Sequence, residues 1–438
     1  MANTYIKRDL SVSETIYKYT WSAWVKRSNV SAHNTIFKSR ADGNNWVQCF
    51  FESETLYLQS YKNGGYHYNF RTNRRFRDTN AWYHIFLNVD SSQSTASDRV
   101  KIYVNGELET SFSTSTNNLS NGDSLMFNLS DSGTGHTIGS WNTSNYLDGV
   151  LSHVHYSSGY SYAPTVFGST DSTTGEWKIN TSPSFTLGGN GYTVLKDGNT
   201  ITDQSSNSND FTLGGGTLTK TEDNPSNVFA TLNPLDNYYA NATFSNGNTK
   251  ITTGTSREAS VTATIPMFKG KYYWEAKTLS SSAPFLGIQP IPSFGNTASP
   301  APLQLNGYGL LSTGKVETTN GSGGSIVLAT YATYTAGDII GIAVDLDSAQ
   351  NKIYFYKNGT LLGASGVNIT SVGSTSQGMY LAAFGVIAGQ DTIEVNFGNG
   401  YFGTTAVSSA GTNASGNGIF EYDVPANFTA LSTKGLNL

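Results

Sequence analysis

"KIYVNGELETSF" at 101–112 and "KIYFYKNGTLLG" at 352–363 are two versions of one local device. In each, apolar residues alternate with polar or aromatic ones up to an Asn-Gly pair, Asn105-Gly106 and Asn358-Gly359, and resume directly after it. Asn-Gly supplies the two positive φ angles of a type I′ turn, whose twist matches that of the strands it joins, so both stretches read as β-hairpins. The residues around the two turns differ, which points to convergence on one turn chemistry rather than to a recent duplication.

Outward from the hairpins, composition supports the same fold class. The chain has 438 residues, enough for two or three domains, and only 13% are charged. Gly, Ser, Thr, Asn and Tyr are abundant and strong helix formers are few, a mix that favours strands joined by many turns. No run approaches the roughly 18 apolar residues of a membrane span, so membrane insertion is not expected. The opening "MANTYIKRDLSVSE" lacks the apolar core of a signal peptide, and a soluble protein made in a cytoplasm is expected. Cys49, in "WVQCFFES", is the single cysteine, so no intrachain disulfide forms and its neighbours make it a small buried hydrophobe. Net charge is −5, unevenly spread: 14 Lys and Arg against 8 Asp and Glu up to residue 103, leaving 12 against 23 beyond it. That balance does not fit a general nucleic-acid binder.

The expected fold is all-β, with two antiparallel β-sandwiches joined by a loop-rich connector. Residues 1–165 read as short strands between turn clusters, with Trp21, Trp24, Trp82, Ile102 and Val104 in the core. Residues 166–235 are dense in turn formers and read as a connector anchored by Trp177, Tyr192, Val194, Leu195, Phe211 and Phe229. Residues 236–402 return to regular strands around Trp274, and 403–438 are expected to pack back on the connector or the second sandwich.

The succession "TWSAWVKRS", "WYHIFLNVD", "KIYVNGEL", "TIGSW" and "LDGV" resembles a laminin-G or concanavalin-like jelly roll. "GKYYWE" and the run from "GDIIGIAVDLD" to "KNG" resemble a SPRY domain. The middle runs, "FGSTDSTTGEW", "DQSSNSNDFT" and "PSNVFATLNPL", with the closing "DVPANFTALSTKGLNL", resemble a family of tailed-bacteriophage virion proteins. This resemblance implies a non-enzymatic structural protein of a virion, on a tail fibre, head fibre or capsid decoration. Its partners would be other virion proteins and a host-surface glycan or protein, and a homo-oligomer, with a homotrimer favoured, is expected. A scaffold without host ligand and a glycan depolymerase are the competing readings.

Catalytic signatures are absent from the pattern. Glycan hydrolysis needs two carboxylates across a cleft, and Glu52/Glu54, Glu107/Glu109 and Asp345/Asp347 are the close pairs, each at i, i+2. Asp345 and Asp347 sit at a bend and read as local turn bonding. All six histidines, His33, His67, His84, His136, His153 and His155, precede residue 156, and His153 and His155 read as a solvated sheet face. A rim calcium site could draw on Asp42, Asp123, Asp131 or Asp148, but no ligand set is assigned. "LGGGTL" and "GSGGS" lack a following helix or P-loop Lys and read as loops. The candidate ligand site is "SYKNGGYHYNFRTNRRFRD", which joins Tyr61, Tyr66, His67 and Tyr68 to Arg71, Arg74, Arg75 and Arg77. Arginine forks suit carboxylate or phosphate, and tyrosine faces suit sugar rings. The competing reading is a solvated turn whose arginines pair with Asp78 or with acidic surface of the other half.

Overall fold

A computed structural model of the chain describes residues 3–10, 14–129, 135–196, 200–237, 242–254, 259–280, 284–292, 306–319, 324–386 and 389–437. Among these there is no α-helix, and no helix long and apolar enough to cross a membrane. The chain forms two compact units, Met1–Lys220 and Thr221–Leu438, each a sandwich of two sheets.

In the first unit, one sheet has eight strands in the order Phe112–Asn117, Gly65–Thr72, Thr55–Lys62, Asn45–Glu52, His33–Asp42, His136–Ile138, Tyr5–Arg8 and Thr212–Gly215. The other has six: Tyr192–Val194, Gly149–Ser158, Lys18–Arg27, Trp82–Asp90, Val100–Val104 and Glu107–Leu108. Period-two alternation sends Tyr19, Trp21, Ala23 and Val25 of Lys18–Arg27 between the sheets, against Phe37, Cys49 and Leu58. Burial pushes the Cys49 thiol pKa up, which leaves it an inert core group.

In the second unit, a seven-stranded sheet runs Leu232–Asn237, Ala259–Ala263, Leu381–Val386, Pro284–Gln289, Tyr308–Leu311, Lys315–Thr319 and Ser325–Thr330. It faces a nine-stranded sheet centred on Lys271–Thr278, Ile339–Asp345 and Lys352–Lys357. Trp274 lies between them, fully buried with Leu286, Ile342 and Phe384. Thr429–Ala430 pairs with Lys271–Thr278, the only parallel pairing among the described strands.

The stretch 166–235 is divided between the units. Tyr192–Val194 extends the six-stranded sheet and Thr212–Gly215 the eight-stranded one, while Leu232–Asn237 pairs with Ala259–Ala263 in the second unit. The run from Asp203 is a turn built on one carboxylate: Asp203 accepts hydrogen bonds from Thr193 N, Ser205 N, Ser205 Oγ and Asn209 N at 2.8–2.9 Å.

Both hairpin turns have positive φ at both central residues, 50° and 78° at Asn105-Gly106 and 48° and 80° at Asn358-Gly359. Each asparagine also accepts, through Oδ1, a backbone N–H near the start of a neighbouring strand: His84 N at 2.8 Å and Ile339 N at 2.9 Å. Each glycine lies under a later aromatic, Trp177 and Tyr422 respectively, with no room for a Cβ.

These aromatics belong to segments that cover the outer face of each hairpin-bearing sheet. In the first unit, Phe167 packs on Phe86 and His155, and Trp177 Nε1 donates to His84 Nδ1 at 3.0 Å. Trp24 stacks on His84 at 5.1 Å, and Trp24 and Trp82, expected in the core, are both buried, in this outer layer rather than between the sheets. His155, expected to be solvated, is likewise buried there, and a bulge at His153, with φ of 50°, interrupts the strand beside it. Burial lowers the pKa of His84, His136 and His155 to about 3, so they stand neutral. In the second unit, Phe420, Val424 and Ala430 cover Tyr273 and Ala343. Beneath them the fully buried Glu275 accepts Glu421 N and Tyr422 N, both at 2.9 Å, and the Tyr273 hydroxyl at 3.1 Å. Burial pushes its pKa up to about 7 against these hydrogen bonds, which favour the charged form.

Candidate ligand-binding face

The outer face of the eight-stranded sheet is built differently. Strands Asn45–Glu52, Thr55–Lys62 and Gly65–Thr72 lie side by side, and alternation turns Val47, Cys49, Leu56, Leu58, Tyr68 and Phe70 inward. The opposite set points out in matched rows: Trp46, Tyr61 and Tyr66; then Gln48, Gln59 and Asn69; then Phe50, Tyr57 and Arg71. A register shift after Ser60 skips His67, which is why Tyr66 and Asn69 share this face although their spacing is the odd i, i+3.

The aromatic rows are columns of rings. Trp46 stacks on Tyr61 at 5.3 Å and 11°, with Trp141 edge-on at one end and Tyr66 edge-on at the other. His33 stacks on Phe50 at 4.2 Å, Phe50 on Tyr57 at 4.7 Å, and the Arg71 guanidinium lies 5.1 Å from the Tyr57 ring centre. Four residues along a strand separate the columns, about 13 Å. Between them Gln59 Nε2 donates to Asn69 Oδ1 at 3.1 Å. Gln59 Oε1 and Asn69 Nδ2 have no hydrogen-bond partner among the described residues. Gln48 is spent inside the face, its amide donating to His33 Nε2 and Thr35 Oγ1. Burial lowers the His33 pKa, consistent with a neutral ring accepting that bond.

Stacked rings spend their faces on one another, so this surface offers ring edges, hydroxyls and amides, plus Tyr66, which is 42% exposed. An open amide acceptor beside an open amide donor matches a ligand hydroxyl, which both donates and accepts. The residues are held by cross-strand contacts before any ligand arrives, which lowers the ordering cost of binding.

Of the residues singled out in the sequence, Tyr61, Tyr66 and Arg71 lie on this face, with Tyr61 enclosed between Trp46 and Tyr66. Tyr68 is in the core, its hydroxyl 2.9 Å from that of Tyr19, and His67 is buried with Nε2 3.1 Å from Asp123. Arg74, Arg75 and Arg77 follow the strand and are neutralised within the same unit. Arg74 pairs with Glu109 and Glu107, while Arg75 and Arg77 pair with Glu54 at 3.6 and 2.9 Å. Under the competing reading their partners would be Asp78 or acidic surface of the other half; Asp78 instead accepts Asn80 N and Ala81 N, and the pairing glutamates all belong to the first unit. Trp46, Tyr57, Gln59 and Asn69 were not singled out. Their signal is the mirrored pair "WVQCF" at 46–50 and "YLQSY" at 57–61, aromatic-x-amide-x-aromatic on adjacent strands.

The carboxylate pairs have structural duties. Glu54, Glu107 and Glu109 hold the arginines, Asp345 pairs with Lys271 at 2.8 Å and accepts Asp347 N and Ser348 N, and Asp347 accepts Gly270 N. Asp42 caps its own turn through Asn44 N, Asp123 accepts Ser120 N, and burial raises the Asp148 pKa. Asp131, and 321–323 of "GSGGS", lie outside the described residues. Among the described residues no group of three or more His, Cys, Asp or Glu could hold a metal.

Comparison with known proteins gives a family match for the first unit. The profile of the concanavalin A-like lectin/glucanases superfamily matches residues 2–160. No curated protein sequence matches the chain. Among solved structures, the chain is similar to a putative carbohydrate binding protein from Bacteroides ovatus, at 18% identity and a TM-score of 0.33, covering 49% of this chain and 57% of that one. The SPRY domain of human HERC1 is similar at 16% identity and a TM-score of 0.28, covering 37% of this chain and 96% of that one. Domains LG4-5 of the mouse laminin alpha1 chain give 10% identity and a TM-score of 0.28, covering 98% and 84%. At such identities and scores these likenesses carry no argument. The chain is all-β, two antiparallel sandwiches, and the superfamily match at residues 2–160 falls in the first.

Proposed function

We propose that the chain is a non-enzymatic binding protein whose first unit receives a glycan on the outer face of the eight-stranded sheet, and that it is displayed on a bacteriophage particle. The observation that carries the glycan reading is the Gln59–Asn69 pair, open on both polar sides and framed by two ring columns. The duties already held by Glu54, Glu107, Glu109, Asp345 and Asp347 support a binding rather than a hydrolytic role. The virion setting, with neighbouring virion proteins and a homotrimer favoured, is supported by the sequence runs at 167–177, 203–212 and 423–438.

Purified full-length protein tested on an oligosaccharide array should bind, and Tyr66→Ala and Gln59→Ala should each weaken that binding at least about tenfold without changing the melting temperature. Arg75→Ser with Arg77→Ser should leave it unaltered, because Glu54 already occupies both. Binding that survives both platform variants would remove this face from consideration. Antibody labelling of intact particles, imaged by electron microscopy, tests the virion placement.

A further inference from the structure

Arg71 differs from the three arginines that follow it. Its Nε donates to Thr55 Oγ1 at 3.2 Å, its guanidinium rests over Tyr57, and no acidic side chain pairs with it among the described residues. Neither Nη group has a partner there. Arg74, Arg75 and Arg77 each have a glutamate. Burial and the Glu52 carboxylate raise the Tyr57 pKa, while Arg71 lowers it. Arg71 points out two residues beyond Asn69, about 7 Å along the strand from the open amides.

Resting on the reading that this face binds a glycan, we infer that the ligand is acidic, with a carboxylate or phosphate substituent received by the two free Nη groups of Arg71. The fork is planar and matches either anion through two parallel hydrogen bonds, and stacking on Tyr57 fixes its plane. A sugar whose hydroxyls meet Gln59 and Asn69 has its next ring at the Arg71 end of the face. The glutamates already held by Arg74, Arg75 and Arg77 leave Arg71 as the arginine of the 71–77 run whose fork is open to an anion.

The test compares trigalacturonate with its methyl ester, and galactose 6-phosphate with galactose, by calorimetry on the full chain. Wild-type protein should bind at least one charged probe about tenfold more tightly than its neutral counterpart, and whichever pair shows the gap identifies carboxylate or phosphate as the group read. Arg71→Gln should close that gap while neutral binding persists, Arg71→Lys should restore part of it, and Glu52→Gln should widen it. Added salt should narrow it. Equal affinities within both pairs, or a gap that Arg71→Gln leaves intact, would overturn the acidic-ligand inference while Tyr66→Ala still weakens neutral binding. Binding indifferent to Tyr66→Ala and Gln59→Ala would overturn the glycan face as well.

Discussion

Two outer sheet faces are sealed by a later segment of chain, and the two seals differ in the group buried beneath them. Under Trp177 lies His84, neutral because burial lowers its pKa to about 3. Under Tyr422 lies Glu275, whose pKa burial pushes up to about 7. The turn, its double-duty asparagine and the aromatic over its glycine are shared. Backbone chemistry therefore fixes the hairpin, while the titratable group decides how each closure answers to pH.

The largest effects should come from the two cores that the seals flank. Trp21→Ala and Trp274→Ala each remove one of the largest fully buried side chains, and each should cost about 3–5 kcal/mol. Urea unfolding followed by peptide-resolved labelling should show each loss in its own unit. A Trp274→Ala protein that unfolds like wild type would place that side chain outside the core.

Next in size is the response to pH, where the signs oppose. Glu275 has a folded pKa raised above its unfolded value near 4.5, so its contribution is full below about 4.5 and lost as pH rises through about 7. His84, His136 and His155 are bases with depressed folded pKa values. Their contribution is full above about 6.5 and lost as pH falls toward 3. Between pH 4.5 and 6.5, acidification should therefore weaken the first unit and strengthen the second through these groups. Glu275→Gln should flatten the second unit's response in the same labelling experiment. A second unit whose pH response is unchanged by that substitution would break the contrast.

The smallest effects test what the units share. Asn105→Ala and Asn358→Ala each place a Cβ-bearing residue without a side-chain acceptor at positive φ, and each should cost on the order of 1–2 kcal/mol. Similar losses in thermal melts would confirm a common device. A clearly larger loss at one site would mean that its seal depends on the turn more strongly.

The hairpins were legible because Asn-Gly acts within two residues, and the sandwich cores because alternation is local. What covers a sheet is not local. Trp24, Trp82 and His155 read as ordinary strand residues until residues 164–186 are laid over them. The stretch 166–235 read as a connector because its strands have only three to six residues, set among turn formers, and three of them pair with strands outside the stretch. The arginine cluster stood out by composition, yet its partners Glu107 and Glu109 lie across a different hairpin. The ring columns were written in "WVQCF" and "YLQSY", but only the register reveals that the two motifs face each other.

The late covering of Glu275 also has a consequence for synthesis. Its backbone partner at Glu421 is made 146 residues after it, and the Trp177 that covers His84 is made 93 residues after that histidine. At about 5–20 residues per second these gaps last roughly 7–30 s and 5–20 s on the ribosome. During the longer one the Glu421 and Tyr422 N–H groups that bond the carboxylate do not yet exist, so Glu275 waits for its backbone partners until almost the whole second unit has been made.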